Sequence, residues 1–300
     1  MKILNFGSCN IDFVYRVEHI VKRGETVAAS SVNRYPGGKG LNQSVAIARA
    51  GADVCHAGCV GEDGGFLLDY MKQSGVDTKL LRKVSDSTGQ AFIQVADSGE
   101  NSIVIYHGAN YRVTREYIDE VLEHFGAGDY LVLQNEISEV GYLIDRAFEK
   151  GMKTVLNPSP FNAAMRETDL SKIFCLIVNE TEAAEYSGAC GTEAFARFLN
   201  EKCPRLWAVM TLGSRGSMFF GEGREVFVPA TPTEAVDTTA AGDTFTGYLV
   251  AELARGKEID EAMKIASLAA SIAVSREGAA SSIPYIDEVG SFFEIKGEKI

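Results

Sequence analysis

Apolar positions along the chain follow two periods in turn. Short runs dense in β-branched and aromatic side chains, among them Lys2–Gly7, Tyr130–Gln134, Lys153–Asn157, Ile173–Val178 and Trp207–Leu212, predict buried strands. After Gln134 the apolar residues Val140, Leu143, Ile144, Ala147 and Phe148 recur at helical spacing, up to a natural stop at Gly151. Thr181–Ser187 follows Ile173–Val178 in the same way. Strands alternating with helices predict a parallel sheet covered on its faces, so the expected class is α/β, a Rossmann-like three-layer sandwich with a mostly parallel central sheet.

Two regions break that rhythm. Residues 11–35 and 89–107 hold strand-like pieces with turns and no helix between them, with Asp97-Ser98-Gly99-Glu100 as one turn. They predict a small β-sheet inserted as a lid into one domain spanning 1–300, since no linker, repeat or low-complexity stretch separates them.

Composition narrows the partners. A net charge of -12 over 300 residues excludes the clustered basic face that duplex nucleic acid or an anionic membrane surface requires. Small molecules are the expected partners, with no nucleic acid and no membrane. The six cysteines lack paired C-x-x-C spacing and several lie in apolar runs, which points to a reducing compartment. The N-terminus opens directly on a strand-like run rather than a leader, so the expected localisation is cytoplasmic.

Candidate chemistry is concentrated in four segments. In Val236–Gly247, the small residues Ala240, Ala241 and Gly242 stand where a helix carrying Phe245, Tyr248, Leu249 and Leu253 begins. Free N–H groups and the helix dipole make such a turn an anion site, and Asp243 beside it is placed to take a hydroxyl proton during phosphoryl transfer. As a lone motif it reads more often as a carboxylate complementing the dipole while Gly242 relieves crowding; the length and context of the segment reverse that order here. Gly7–Asp12 puts polar side chains after the first strand, at the edge where open α/β sheets bind ligands. Pro36–Gln43 opens another helix, with Lys39 and Asn42 as donors for hydroxyl groups; it is no P-loop, lacking the earlier glycine and the Ser or Thr after Lys39. Asn179-Glu180-Thr181-Glu182 is either a helix cap or a holder of the water shell of magnesium. Gln134-Asn135-Glu136 ends a further strand at the same edge. The four histidines are not spaced as metal ligands.

Taken in order and spacing, Gly7–Asp12, Gly37–Gln43, Gly99–Asn101 with Gly108–Asn110, Gln134–Glu136, Asn179–Glu182, Thr211–Gly216, Asp237–Thr246 and Ala273–Pro284 resemble the ribokinase group of PfkB-type sugar kinases across the whole chain. The resemblance implies that Asn10, Asp12, Gly38, Lys39, Asn42 and Glu136 hold a sugar, with Ala91 and Ile103 in the lid over its apolar face. It implies that Asn179, Thr211, Gly213, Gly216, Gly242 and Ser267 border ATP and that Glu182 serves magnesium through water. It implies a monovalent cation, potassium, near Asp237, Thr239, Ala273, Arg276, Gly278 and Ser282, and a homodimer through the lid.

The expected activity is ATP-dependent phosphorylation of a small sugar, D-ribose to ribose 5-phosphate, with Asp243 as base and the Ala240–Gly242 turn as anion hole. A nucleoside such as pseudouridine, deoxyribose or another pentose is the alternative substrate. A sugar-binding protein without catalysis is the alternative of another class. A dinucleotide oxidoreductase is disfavoured because no Gly-x-Gly-x-x-Gly follows the first strand.

Overall fold

The computed structural model describes residues 1–296, with side chains through Ser291. Its strands are β1 Ile3–Phe6, β2 Asn10–Val17, β3 Ser31–Gly37, β4 Val54–Val60, β5 Leu81–Lys83, β6 Gly89–Ala96, β7 Asn101–Tyr106, β8 Tyr130–Gln134, β9 Lys153–Asn157, β10 Cys175–Asn179, β11 Trp207–Thr211, β12 Gly216–Gly221 and β13 Arg224–Pro229. Nine form one sheet in the order β13-β12-β11-β10-β9-β8-β1-β4-β5, parallel except for the β11-β12-β13 edge. The other four form a separate sheet, β3-β2-β6-β7.

Strand alternation divides the core in two. Ile3, Tyr130, Val132, Val155, Cys175, Ile177, Val209 and Phe219 face the helices Lys39–Arg49, Ala241–Ala254 and Ile259–Val274. Their immediate neighbours Leu4, Leu131, Leu133, Leu156, Leu176, Val178, Ala208, Met210 and Phe220 face the helices Arg115–Leu122, Val140–Glu149 and Thr192–Lys202. Strands buried on both sides read as nearly continuous apolar runs, which is why the sequence revealed them. The strand expected over Ile173–Val178 begins two residues later, at Cys175.

From β1 the chain fills the β4 and β5 side of the large sheet before it crosses to β8. The boundary between β1 and β8 is therefore a topological switch point, where a crevice opens at the carboxyl ends of the strands. The small sheet grows from the same end: β2 and β3 leave after β1, and β6 and β7 leave after β5. Among the described residues, no helix is long and apolar enough to cross a membrane.

Candidate active site

The Ala241–Ala254 helix is apolar on nearly every side because it is sandwiched between two other helices. It starts abruptly. Ala240 adopts a left-handed φ of 60°, a strained state for a residue with a Cβ, and such strain gathers at functional turns. Its carbonyl accepts from Thr244 N–H at 2.8 Å and from the Thr244 hydroxyl at 2.9 Å. Ala241 N–H reaches the Thr238 carbonyl at 3.3 Å, while no backbone carbonyl accepts from Gly242 or Asp243. A Cβ on Gly242 would meet nothing within 4 Å, so the turn has room beside it, and unpaired N–H groups at a helix start suit an anion.

Asp243, in the first turn, is 5% exposed. Its Oδ2 accepts from Asn42 Nδ2 at 3.0 Å and its Oδ1 from Gln43 Nε2 at 2.9 Å. Both donors belong to the Lys39–Arg49 helix, which begins at Gly38 with φ 92° and packs against the strand ends. Close approach there depends on glycine: a Cβ on Gly40 would stand 2.3 Å from the Ser8 nitrogen and 2.6 Å from the Gly7 Cα. Asn42 spends its amide nitrogen on Asp243, and its Oδ1 is buried without a partner. The sequence suggested Asn42 as a donor to hydroxyl groups; one amide hydrogen goes to Asp243, and the unpaired Oδ1 adds an acceptor beside it.

Glu136 follows β8 and is buried, and its Oε2 accepts from the Ser8 hydroxyl at 2.5 Å and from Lys39 N–H at 3.0 Å. Lys39 remains a cation in this crevice because the Asp243 charge raises its pKa; burial works against this, and Glu136 and Glu182 add to it. Asn10 Oδ1 accepts from Asn110 Nδ2 at 2.7 Å, which fixes its amide. Asp12 lies over Gly37, where a Cβ would come within 2.0 Å of its carboxylate. Burial, then the charges of Glu136 and Asp243, push the Asp12 carboxyl up to about 7.

Strand register sets the roof. Asp12 pairs with Ala91 across β2 and β6, Ala91 with Ile105 across β6 and β7, and Ile93 with Ile103. Asp12, Ala91 and Ile103 therefore share one face of the small sheet, with Ala91 buried and Ile103 exposed.

On the other side of the helix start lies a cavity of about 470 Å³. Thr211, Gly213, Gly216, Gly242 and Ser267 line it together with Ala230–Pro232 and Phe245. Gly242, which lines it, directly precedes the buried Asp243 in the chain. Asn179 does not line this cavity, although it pairs in register with Thr211. Asn179 instead forms a capping box with Glu182: its Oδ1 accepts from Glu182 N–H at 2.9 Å, and Glu182 Oε2 accepts from Asn179 N–H at 3.0 Å. Among the residues expected near a monovalent cation, Asp237 ties the cluster, accepting from Thr239 N–H at 2.9 Å and Gly278 N–H at 3.0 Å. Burial works to raise the Asp237 pKa, but the hydrogen bonds from Thr239 and Gly278 outweigh it and leave the pKa lowered. Arg276 N–H bonds the Ala273 carbonyl and its side chain turns away to Glu288, while the buried Ser282 hydroxyl bonds Ala279.

Sequence reasoning did not single out Gln43, Ser8, Asn110 or the 230–232 segment as site residues. Gln43 and Ser8 stood within the quoted motifs; Ala230–Pro232 carries no pattern that would have marked it.

The model of the pfkB family carbohydrate kinases matches residues 1–286. A ribokinase of Haemophilus influenzae is 37% identical over 299 residues, covering 96% of this chain and 97% of that protein. A deoxyribokinase of Salmonella typhi is 32% identical, covering 98% and 99%. The structure of Arabidopsis thaliana ribokinase complexed with ribose and ATP superposes with a TM-score of 0.88 at 28% identity, covering 98% of both chains.

Proposed function

The chain belongs to the pfkB family of carbohydrate kinases, and from that premise we propose that it transfers the γ-phosphoryl group of ATP to the primary hydroxyl of D-ribose, yielding ribose 5-phosphate and ADP. The observation that carries this reading is the place of Asp243: buried, held by two amides, and adjacent to unpaired N–H groups where the cavity meets the polar crevice.

ATP occupies the cavity bordered by Thr211, Gly213, Gly216 and Ser267, with its phosphates directed to the Ala240–Gly242 turn. Ribose lies between Asn10, Asp12, Gly38, Lys39, Asn42 and Glu136, under Ala91 and Ile103. Asp12, Glu136 and Asn42 Oδ1 accept its hydroxyl protons; Asn10 and Lys39 donate. Asp243 takes the proton of the attacking hydroxyl, while the N–H groups of the helix start stabilise charge growing on the transferred group. A donor of that kind is worth ~3–4 kcal/mol of barrier and a positioned base ~10²–10⁴-fold in rate. Closing the small sheet over the sugar keeps water from taking the phosphoryl group.

The remaining oxygen donors suit hard cations. Glu182, whose Oε1 lies outside the capping box, and Asn179 would hold the water of a magnesium ion, which when bound with ATP would neutralise phosphate charge. Asp237 with the carbonyls of Thr239, Ala273, Arg276 and Gly278 and the hydroxyl of Ser282 fits potassium. Exposed Val32, Phe92, Val104 and Tyr106 on the small sheet support a homodimer in which a second copy covers them. Six cysteines without paired C-x-x-C spacing, several in apolar runs, support a reducing, cytoplasmic place.

The relationship to a deoxyribokinase favours 2-deoxyribose as the second reading. ADP release from ATP and magnesium across ribose, 2-deoxyribose, fructose, adenosine and pseudouridine, with and without potassium, decides between them. The proposal expects ribose to give the highest kcat/KM and potassium to raise it; preference for another member of the panel overturns the ribose assignment.

A further inference from the structure

Beneath the Lys39–Arg49 helix, three neighbouring strands carry an amide at their last or next-to-last residue. Asn5 continues the face of Ile3 in β1, Gln134 that of Tyr130 and Val132 in β8, and Asn157 that of Val155 in β9. These positions are core positions by alternation, and apolar residues fill them lower in each strand. Gln134 pairs in register with Asn157, so the amides stand side by side as a floor.

Gln43 descends onto this floor and is fully buried. Its Oε1 accepts from Gln134 Nε2 at 2.6 Å, and its Nε2 donates to Asn157 Oδ1 at 3.3 Å and to Asp243 Oδ1 at 2.9 Å. Gln134 Nε2 also donates to Asn5 Oδ1 at 3.1 Å, and Asn5 Nδ2 donates to the Gly40 carbonyl at 2.8 Å and the Ser44 hydroxyl at 2.9 Å. Ser44 continues to His56 Nδ1 at 2.8 Å, and the opposite ring nitrogen lies 3.3 Å from Cys9 Sγ. Turning the Gln43 amide over would set oxygen against carboxylate and nitrogen against nitrogen, so its donor direction is fixed.

We propose that Gln43, locked by Gln134 and the strand-end amides, is the positioning residue that holds the Asp243 carboxylate in the one orientation from which it accepts the sugar proton. Asn42 grips the other oxygen but stands at the sugar; Gln43 faces away from it and touches neither substrate. A side chain able to swing about χ1 and χ2 is thereby held at both oxygens, and base catalysis is steep in such geometry. This inference rests on Asp243 being the base.

The test is steady-state kinetics, on the sugar that turns over, of Gln43→Met, Gln134→Met, the double variant and Asp243→Asn, each with a thermal melt. Gln43→Met should lower kcat by about 10–10²-fold with the KM of sugar and ATP unchanged. Gln134→Met should lower kcat less, and the double variant should match Gln43→Met, because both act through one chain of bonds. A Gln43→Met enzyme with normal kcat, beside an inactive Asp243→Asn, overturns the positioning role and leaves the base in place. Losses that multiply in the double variant, or a raised KM with normal kcat, also overturn it. Near-normal turnover by Asp243→Asn overturns the base reading itself. If Gln43→Met loses its cooperative melt, Gln134→Met decides, since it leaves both donors to Asp243 intact: an unchanged kcat there contradicts the proposal.

Discussion

The two halves of the candidate site are built by different means. On the crevice side, buried side chains do the work and each is tied to another: Asp243 to Asn42 and Gln43, Asn10 to Asn110, Glu136 to Ser8. On the cavity side, most of the lining is small residues such as Thr211, Gly213, Gly216, Ala241, Gly242 and Ser267 that present backbone and shape, with Phe245 and Val274 beside them. A hydroxyl-rich ligand demands directional partners at fixed places, and a misdirected polar group there is left unpaired at a cost of ~1–3 kcal/mol. A flat base and a run of phosphates need room and N–H groups, which many small residues supply equally well. The crevice should therefore be brittle to substitution and the cavity tolerant.

The largest break should come where the halves meet. Asp243→Asn keeps the side-chain shape, so sugar and ATP should still bind while kcat falls ~10²–10⁴-fold; calorimetry beside turnover separates the two. Next comes Gly37→Ala. Its backbone permits alanine, but the new Cβ would stand 2.0 Å from Asp12 Oδ2 and 2.4 Å from Oδ1, and the carboxylate must swing away. The sugar KM should rise ~10–100-fold, the worth of a charge-assisted hydrogen bond, with the ATP KM unchanged. A matching rise in the ATP KM would erase the distinction between the halves.

A pH profile sharpens the same contrast. With its pKa pushed up to about 7, Asp12 loses its charge and one acceptor oxygen as pH falls through that value, so the sugar KM should climb below pH 7, by at most about tenfold per pH unit. Asp12→Asn should flatten the profile. The sign for stability is opposite: the folded pKa lies above the ordinary 3.8, so ionised Asp12 destabilises the fold, and that cost grows as pH rises from about 4 to about 7. Asp12→Asn should accordingly melt higher than the parent at pH 8 and not at pH 4. The smallest effect should be Ser267→Ala, one small lining residue among many in the cavity, where the ATP KM should change by less than about twofold.

What could be read from the chain follows the same division. Strands buried on both faces announce themselves, as Cys175–Asn179 does, and the helix start at Ala240–Asp243 is visible because small residues precede a long apolar pattern. Partners far apart in sequence are not visible. Gln43 and Gln134 stand in quoted motifs, yet nothing in one dimension shows that β8 lies beside β1 and brings the two amides together across 91 residues. The left-handed Ala240 gives no sign either, since such a φ is ordinarily the place of Gly, Asn or Asp. At Asn179 and Glu182 the sequence allowed both a cap and a magnesium role; the fold shows the capping box, which uses one Glu182 oxygen. His56 is a structural histidine, pushed down to about 4 by burial and hence neutral between Ser44 and Cys9.

The central claim is that the crevice and the cavity meet so that phosphoryl passes from one ligand to the other rather than to water. Phosphorus NMR of the protein with ribose, ATP, magnesium and potassium follows that event directly. The account predicts that the γ-phosphate resonance of ATP gives way to ADP and one sugar phosphate monoester on the primary carbon. ADP with inorganic phosphate and no ester, or ATP left intact while ribose binds, would contradict it.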